Sequence, residues 1–552
     1  MATWGEVKRW QPGPLQGAVE PMNGAYNKVV ACGDDLRDTN TPYGWSGEAA
    51  SAAAGTVNQI IDGLEEHSAE LAASRRGVGD TGDAITGIQH GVQEIEELAA
   101  KHHFTVGEDG TIIDSGPPPD IPEDQRAAVE TERKAVAAEL RDRVGQVLRS
   151  ATDVDDDFCA VLDKILSGHT IDASANDNET TSLAKAGSDG YAAGSLSIPA
   201  PPPDGATAAQ NAAYWATISK GQRTQLAMDR PQLVGPRDGF SAVHRDIANQ
   251  ILLGHERTRL QSDLWRIQQD LNKLPHGPGN ENERNILNKQ LSGIQGKLDG
   301  VNKITEVLSG TKDAAEGRKH YLLGIDGAED GKAIVATGNP DSARNVATFV
   351  PGTGSDLATL GGNIDRADVM HRAAEKATSE PNSVITWLGY DAPDSILNAG
   401  SAGYAEDARS SLDSFQDGLR ESHNPGQPSH NTIIGHSYGS TVAGFAARDE
   451  HLAVDDFIAV GSPGVGVDDA TGLHLPPEHV WGIAAENDPV ADLQRFGNAP
   501  TDADFGANKI NADAGVSWPV VGYSLTAHSQ YWDPRNPALA GMGQVIAGKQ
   551  PH

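Results

Sequence analysis

Thr432-Ile433-Ile434-Gly435-His436-Ser437-Tyr438-Gly439-Ser440-Thr441-Val442-Ala443-Gly444-Phe445-Ala446-Ala447 joins a short apolar run to a run of small residues through a G-x-S-x-G turn. Polar His430 and Asn431 bound the apolar run, which reads as a buried strand, and Ser440 to Ala447 read as a helix. Strand, sharp turn and helix form the context in which a serine is presented as a nucleophile. In this elbow Gly435 and Gly439 leave room where a side chain would strike the adjoining strand or helix, and His436 occupies the variable position. The Tyr438 N–H stands at the helix N-terminus, where it can donate to an oxyanion.

A serine nucleophile needs a base, and the base an orienting acid, following it in the order Ser, Asp/Glu, His. Val480 to Ala485 is an apolar strand, and Glu486-Asn487-Asp488-Pro489-Val490 follows it. Pro489 stops the strand and holds Asp488 in a turn at the sheet edge, with Glu486, Asp455 and Asp456 as competing acids. His528 is the only histidine after His479 apart from the terminal His552, and is the base by elimination. Ser437 Oγ is therefore expected within hydrogen-bonding reach of one His528 ring nitrogen, with Asp488 on the other. His436, His451, His474 and His479 read as solvated surface histidines. The strand Asn345 to Val350 ends in Pro351-Gly352-Thr353-Gly354-Ser355, whose glycines let the Thr353 and Gly354 backbone approach a tetrahedral intermediate. No lysine follows in Walker A spacing, so this loop is not a nucleotide cradle.

Around these motifs, Tyr321–Ile325 and Lys332–Thr337 read as an antiparallel hairpin about Glu329-Asp330-Gly331. Helices at 364–376 and 404–419 then alternate with strands at 346–350, 383–388, 432–434, 457–460 and 480–485, which implies a mainly parallel sheet covered by helices. Five segments together resemble one family: Phe349 to Ser355, the Gly435–Gly439 elbow, Val460-Gly461-Ser462-Pro463-Gly464-Val465-Gly466-Val467, Asn487 to Val490, and His528-Ser529. That family is the actinobacterial α/β-hydrolase domain of unknown function found behind a helical N-terminal region. Tyr214-Trp215 through Asp238-Gly239 to Ala248-Asn249 resembles the stretch preceding its core. The resemblance implies an α/β-hydrolase fold with nucleophile Ser437, acid Asp488 and base His528, and it implies no substrate.

Forty-three basic against seventy-seven acidic residues in 552 give a net charge of −34, which argues against nucleic acid or an anionic membrane as partner. No apolar run is long enough to span a bilayer, the N-terminus lacks the pattern of a signal peptide, and no cofactor or metal motif is evident. Cys32 and Cys159 are too few for a disulfide scaffold; they read either as one bridge between two N-terminal helices or, more in keeping with such a pair, as two partly buried thiols.

The first three hundred residues carry helical stripes instead: Val57, Ile61, Leu64, Leu71; Ile85, Ile88, Val92, Ile95; and Val129 through Val161. Phe104–Val106 and Thr111–Ile113 interrupt them as a small hairpin. Trp45-Ser46-Gly47 between helical segments at 15–36 and 48–74 resembles the hairpin of WXG-type type VII secretion substrates, with Trp45 expected to anchor the turn by burial. Tyr390 and Asp394 have the spacing of that system's export signal but follow a sheet strand. The expected organisation is a helical bundle over 1–166 and a flexible Pro/Ser/Gly-rich linker over 167–205. A helical connector over 206–318, containing an antiparallel hairpin at 260–301, precedes the hydrolase at 319–552. Two functions compete. One is a serine hydrolase acting on lipid-like or small acyl esters, with no cofactor. The other is a secretion-associated module meeting a type VII partner protein through its N-terminal helices. The first fits a cytoplasmic location, the second an export route without a signal peptide.

Overall fold

A computed structural model describes residues 2–39, 45–117, 126–168, 170, 182–275, 277–423, 428–450, 452–517 and 523–551. The chain divides into two compact units, residues 1–206 with 213–225, and residues 207–212 with 226–552. Among the described residues no helix is long and apolar enough to cross a membrane.

The first unit is built from α1 (Trp4–Val7), α2 (Gly13–Thr39), α3 (Glu48–Lys101), the antiparallel hairpin β1 (Phe104–Val106) and β2 (Ile112–Asp114), α4 (Arg126–Leu166) and α5 (Leu183–Ala193). The stripes at Val57–Leu71 and Ile85–Ile95 lie on one helix of 54 residues, α3. Its Ile88, Val92 and Ile95 pack with Leu140, Val144 and Val147 of α4 into a single core. Part of the expected linker is not a linker. Ser182 caps α5 by accepting from the Lys185 N–H, and Leu183, Ala186, Gly187 and Gly190 are buried on its inner side. A Cβ on Gly190 would lie 2.1 Å from the Ala69 carbonyl oxygen of α3. The Ala/Gly-rich composition that suggested flexibility instead permits close helix packing. Residues 171–181 of that segment lie outside the described residues. Trp45 is 49% exposed and so does not anchor a turn by burial, while Gly47, at φ +107°, precedes α3. Cys32 and Cys159 are free and exposed rather than partly buried.

Helices α6 (Ala208–Thr217) and α7 (Lys220–Asp229) lie across the division, and α8 (Pro231–Val234), α9 (Ala242–Lys273) and α10 (Glu281–Gly310) follow in the second unit. Its sheet comprises β3 (His320–Asp326), β4 (Lys332–Thr337), β5 (Asn345–Val350), β6 (Asn382–Leu388), β7 (His430–His436), β8 (Asp456–Val460), β9 (Val480–Ile483) and β10 (Asn508–Lys509). The order is β10-β9-β8-β7-β5-β6-β4-β3, with β3–β4 and β4–β6 antiparallel and every other neighbouring pair parallel. Helices α11 (Leu360–Ala377), α12 (Gly403–Ser422), α13 (Tyr438–Glu450) and α14 (Pro537–Ile546) cover it. Adjacent strand residues separate onto two cores. Val346, Ile433 and Phe457 join α12 and α13, whereas Ala347, Ile434 and Ile458 join α11 and α14. Strands buried on both faces read as continuous apolar runs, which is why they were legible.

The expected connector at 206–318 is not a separate element. Asp246 of α9 accepts the Leu322 N–H at 2.8 Å, Asn249 donates to Leu322 O at 3.1 Å, and Arg245 donates to Leu323 O at 2.8 Å. These side chains satisfy the open edge of β3, and Leu260, Leu298, Val301 and Ile304 join the sheet core. The hairpin of α9 and α10 is therefore part of the second unit, because an unpaired edge strand needs cover.

Asp341 lies between α9 and α12, accepting from the Ala242 N–H at 2.7 Å and the Ser422 hydroxyl at 3.0 Å. Burial pushes its carboxyl up to about 7 from an ordinary 3.8. Between those values the folded protein holds a proton that the unfolded chain has lost. This contribution to stability is thus full below 3.8 and lost as pH rises to about 7. The thermal midpoint of the wild type relative to Asp341→Asn should fall across that window and level off above it. A difference independent of pH would mean that Asp341 is ionised in the fold.

Candidate active site

The strand order reverses at β5, which has β6 on one side and β7 on the other, so a crevice opens beyond the C-terminal ends of β5 and β7. Strand β7 ends at His436 and α13 begins at Tyr438, leaving Ser437 alone in the turn. Its φ of +54° is a strained conformation for a non-glycine residue. The Ser437 N–H donates to Val460 O at 2.9 Å, which ties the turn to β8. A Cβ on Gly439 would lie 2.1 Å from Val350 O, so the first turn of α13 can rest on the end of β5 only with glycine there.

Asp488 follows β9 and is 1% exposed. Its Oδ2 accepts from His528 Nδ1 at 2.7 Å and from the Tyr531 hydroxyl at 2.6 Å, and its Oδ1 from the Val490 N–H at 2.9 Å. This pairing places the His528 proton on Nδ1 and leaves Nε2 as an acceptor. The competing acids lie elsewhere. Glu486 is exposed, Asp455 pairs with Arg420, and Asp456 bonds His430 and His479. A Cβ on Gly461, at φ +54°, would stand 2.8 Å from Asp488 Oδ2 and 3.0 Å from His528 Nδ1. Only glycine allows the end of β8 to back this pair.

Ser437 and His528 both line a cavity of about 530 Å³. The expected hydrogen bond between them is not made. Among the described residues they share the cavity lining without one. The loop after β5 abuts the elbow, since a Cβ on Gly352 would lie 2.8 Å from Ser437 Cβ and 3.0 Å from Tyr438 N. Of the expected oxyanion donors, Tyr438 and Thr353 line the cavity. Gly354 does not, because its N–H already donates to Pro393 O at 2.8 Å. That bond was invisible in the sequence, as Pro393 comes from the loop after β6. Tyr390 belongs to the same loop and is 3% exposed, its hydroxyl bracing Pro351 O at 2.7 Å. It is a structural element of the site.

His436 is the clearest departure from expectation. It is 5% exposed, not solvated, and its Nε2–H donates to the His528 carbonyl at 2.9 Å. Its ring lies 4.6 Å from that of His528 and 4.8 Å from that of Trp532. Burial, followed by the charges of His528 and Arg366, holds its imidazole well below the usual histidine range. His436 is therefore a neutral support beneath His528. His474 and His479 remain at the surface, each with a partner, and His451 lies outside the described residues. Tyr531 was also missed. Burial and the neighbouring Asp488 raise its phenol, which keeps its proton for Asp488, and its oxygen accepts the Ala485 N–H at 3.0 Å. Its position three residues after His528, on the turn Ala527–Trp532, was an available signal.

Residues 326–498 match the family described as Alpha/beta hydrolase, and residues 42–233 match one described as Uncharacterised protein Rv0964c. Uncharacterized protein Rv0963c of Mycobacterium tuberculosis is 30% identical over 217 residues, 36% of this chain and 80% of that protein. The chain belongs to this α/β-hydrolase family. Uncharacterized protein Rv2079 of the same organism is 25% identical over 483 residues, covering 77% of this chain and 70% of its own length. A thermostable carboxyl esterase from Bacillus coagulans, solved with glycerol, is 15% identical with a TM-score of 0.18. That alignment covers 26% of this chain and 44% of the esterase, and at such a score it carries no argument.

Proposed function

We propose that the family member is a serine hydrolase that cleaves carboxylic esters through an acyl-enzyme. Ser437 Oγ attacks the ester carbonyl carbon while His528 Nε2 takes its proton, and Asp488 steadies the imidazolium through Nδ1–H. The oxyanion accepts from the Tyr438 and Thr353 N–H groups. On collapse His528 returns the proton to the departing alcohol, and water repeats the sequence to release the acid. The observation that carries the reading is the 2.7 Å Asp488–His528 hydrogen bond in a cavity that the strained Ser437 also lines. Ile396, Ala399, Val490, Leu493, Phe496 and Leu525 form an apolar wall suited to an acyl chain. Trp45, expected to anchor a WXG-type turn by burial, is exposed, so that motif adds no support to the secretion-module alternative.

A fluorophosphonate probe tests the reading, followed by para-nitrophenyl esters of increasing chain length. Labelling of the full chain is expected, with kcat/KM rising from acetyl to medium acyl chains as the apolar wall fills. A protein that neither labels nor turns over any ester in the series would be ancillary to whatever the helical unit does.

A further inference from the structure

Two guanidinium groups, Arg366 and Arg495, line the cavity beside its apolar residues, in a protein of net charge −34. Arg366 comes from α11 and is largely withdrawn from solvent. It lies 4.6 Å above the Trp532 ring, which packs edge-on against His436, itself in ring contact with His528. One Arg366 N–H donates to Asn363 Oδ1 at 3.2 Å, and Asn363 in turn reaches Ser355 Oγ at 3.4 Å on the cavity rim. Among the described residues neither arginine has a carboxylate partner, and Arg495 donates only to the Gly400 carbonyl, at 3.0 and 2.9 Å. A half-buried guanidinium in such an acidic chain would ordinarily find an acid, since an unpaired charge taken from water is costly. Burial, with no compensating carboxylate, lowers the Arg366 guanidinium from its ordinary range. Its remaining donors are held in place by the Trp532 face and Asn363, a geometry suited to a planar or tetrahedral oxyanion.

We propose that Arg366, assisted by Arg495, is the specificity-determining residue that binds a compact oxyanion, carboxylate or phosphate, borne by the ester substrate. This deepens the ester-hydrolase reading and rests on it. The substrate class is thus an amphiphilic anionic ester, its chain on the apolar lining and its charge on the arginines.

The test compares para-nitrophenyl hydrogen suberate with para-nitrophenyl methyl suberate, which differ in one terminal charge. A phosphoryl-terminated analogue identifies which oxyanion is preferred. The wild type is expected to favour a charged ester by about 10- to 100-fold in kcat/KM, expressed mainly in KM, the range of a charge-assisted hydrogen bond. Added salt should reduce that preference. Arg366→Gln should bring the ratio near one, and Arg366→Lys should restore part of it. A ratio of one or less for both oxyanions in the wild type would overturn the proposal. So would a ratio unaffected by Arg366→Gln in a variant that still labels, since Arg366 would then only pack on Trp532. Titration calorimetry of Ser437→Ala with methyl hydrogen suberate and dimethyl suberate reads the anion site without turnover. Tighter binding of the anion, lost on adding Arg366→Gln, supports the proposal even if every ester fails as a substrate, whereas equal binding of the two refutes it. If Arg366→Gln does not fold, Arg495→Gln and Arg366→Lys are expected to lower the ratio by smaller steps, and no change in either counts against the proposal.

Discussion

Ser437→Ala should abolish fluorophosphonate labelling and lower ester turnover by about a millionfold, the scale on which removal of a triad serine acts. The reason is chemical: no other hydroxyl takes its place at the turn between β7 and α13. The thermal midpoint should move little. Among the described residues Ser437 Oγ makes no hydrogen bond within the protein, and the side chain faces the cavity rather than either core. Alanine keeps a Cβ at the same φ of +54°, so the strain of the elbow is unchanged. Turnover by the variant within about a hundredfold of the wild type would assign the chemistry to another group, because a residual rate from binding and oxyanion stabilisation alone stays far below that.

The strands leading to the elbow and to Asp488 were legible because each stops at a turn residue, whereas His528 follows no strand and was reached only by elimination. Ile433-Ile434, Phe457–Val460 and Val480–Ile483 announce strands, and glycine or proline announces their ends. What escaped was whatever depends on contacts between distant segments. His436 reads as an exposed variable position until the carbonyl of His528, 92 residues later, is seen to accept its Nε2–H. Gly354 reads as an oxyanion donor until Pro393 is seen to occupy its N–H. Nothing in the sequence shows that the polar residues Arg245, Asp246 and Asn249 of α9 close the edge of β3, more than seventy residues later. Small-residue composition also misled, because at α5 it signals close packing on α3 and in a linker it signals freedom. Composition alone does not separate the two cases.

Asp488→Asn is expected to lower kcat by about ten-thousandfold, through the tautomer of His528 rather than through its position. The carboxylate has three donors and no proton of its own to place. Oδ2 takes His528 Nδ1–H and the Tyr531 hydroxyl, and Oδ1 takes the Val490 N–H. An amide cannot satisfy all three. If its oxygen keeps Val490, its NH₂ faces His528 and Tyr531, and the imidazole turns its bare nitrogen inward and carries its proton on Nε2, where it cannot accept from Ser437. If the amide flips, His528 keeps its tautomer and the Val490 N–H is stranded, at a cost of about 1–3 kcal/mol for a buried orphan donor. Tyr531→Phe separates these effects, since it leaves the carboxylate and the tautomer intact while removing one donor and the acceptor of the Ala485 N–H. It should lower the thermal midpoint measurably and reduce kcat by about tenfold at most, the loss of one supporting hydrogen bond. Stopped-flow or plate kinetics on one ester, paired with melting curves, reads both variants. If Asp488→Asn stays within about tenfold of the wild type, the amide has flipped and its oxygen holds His528 in the working tautomer, and a thermal midpoint lowered by the stranded Val490 N–H would show it.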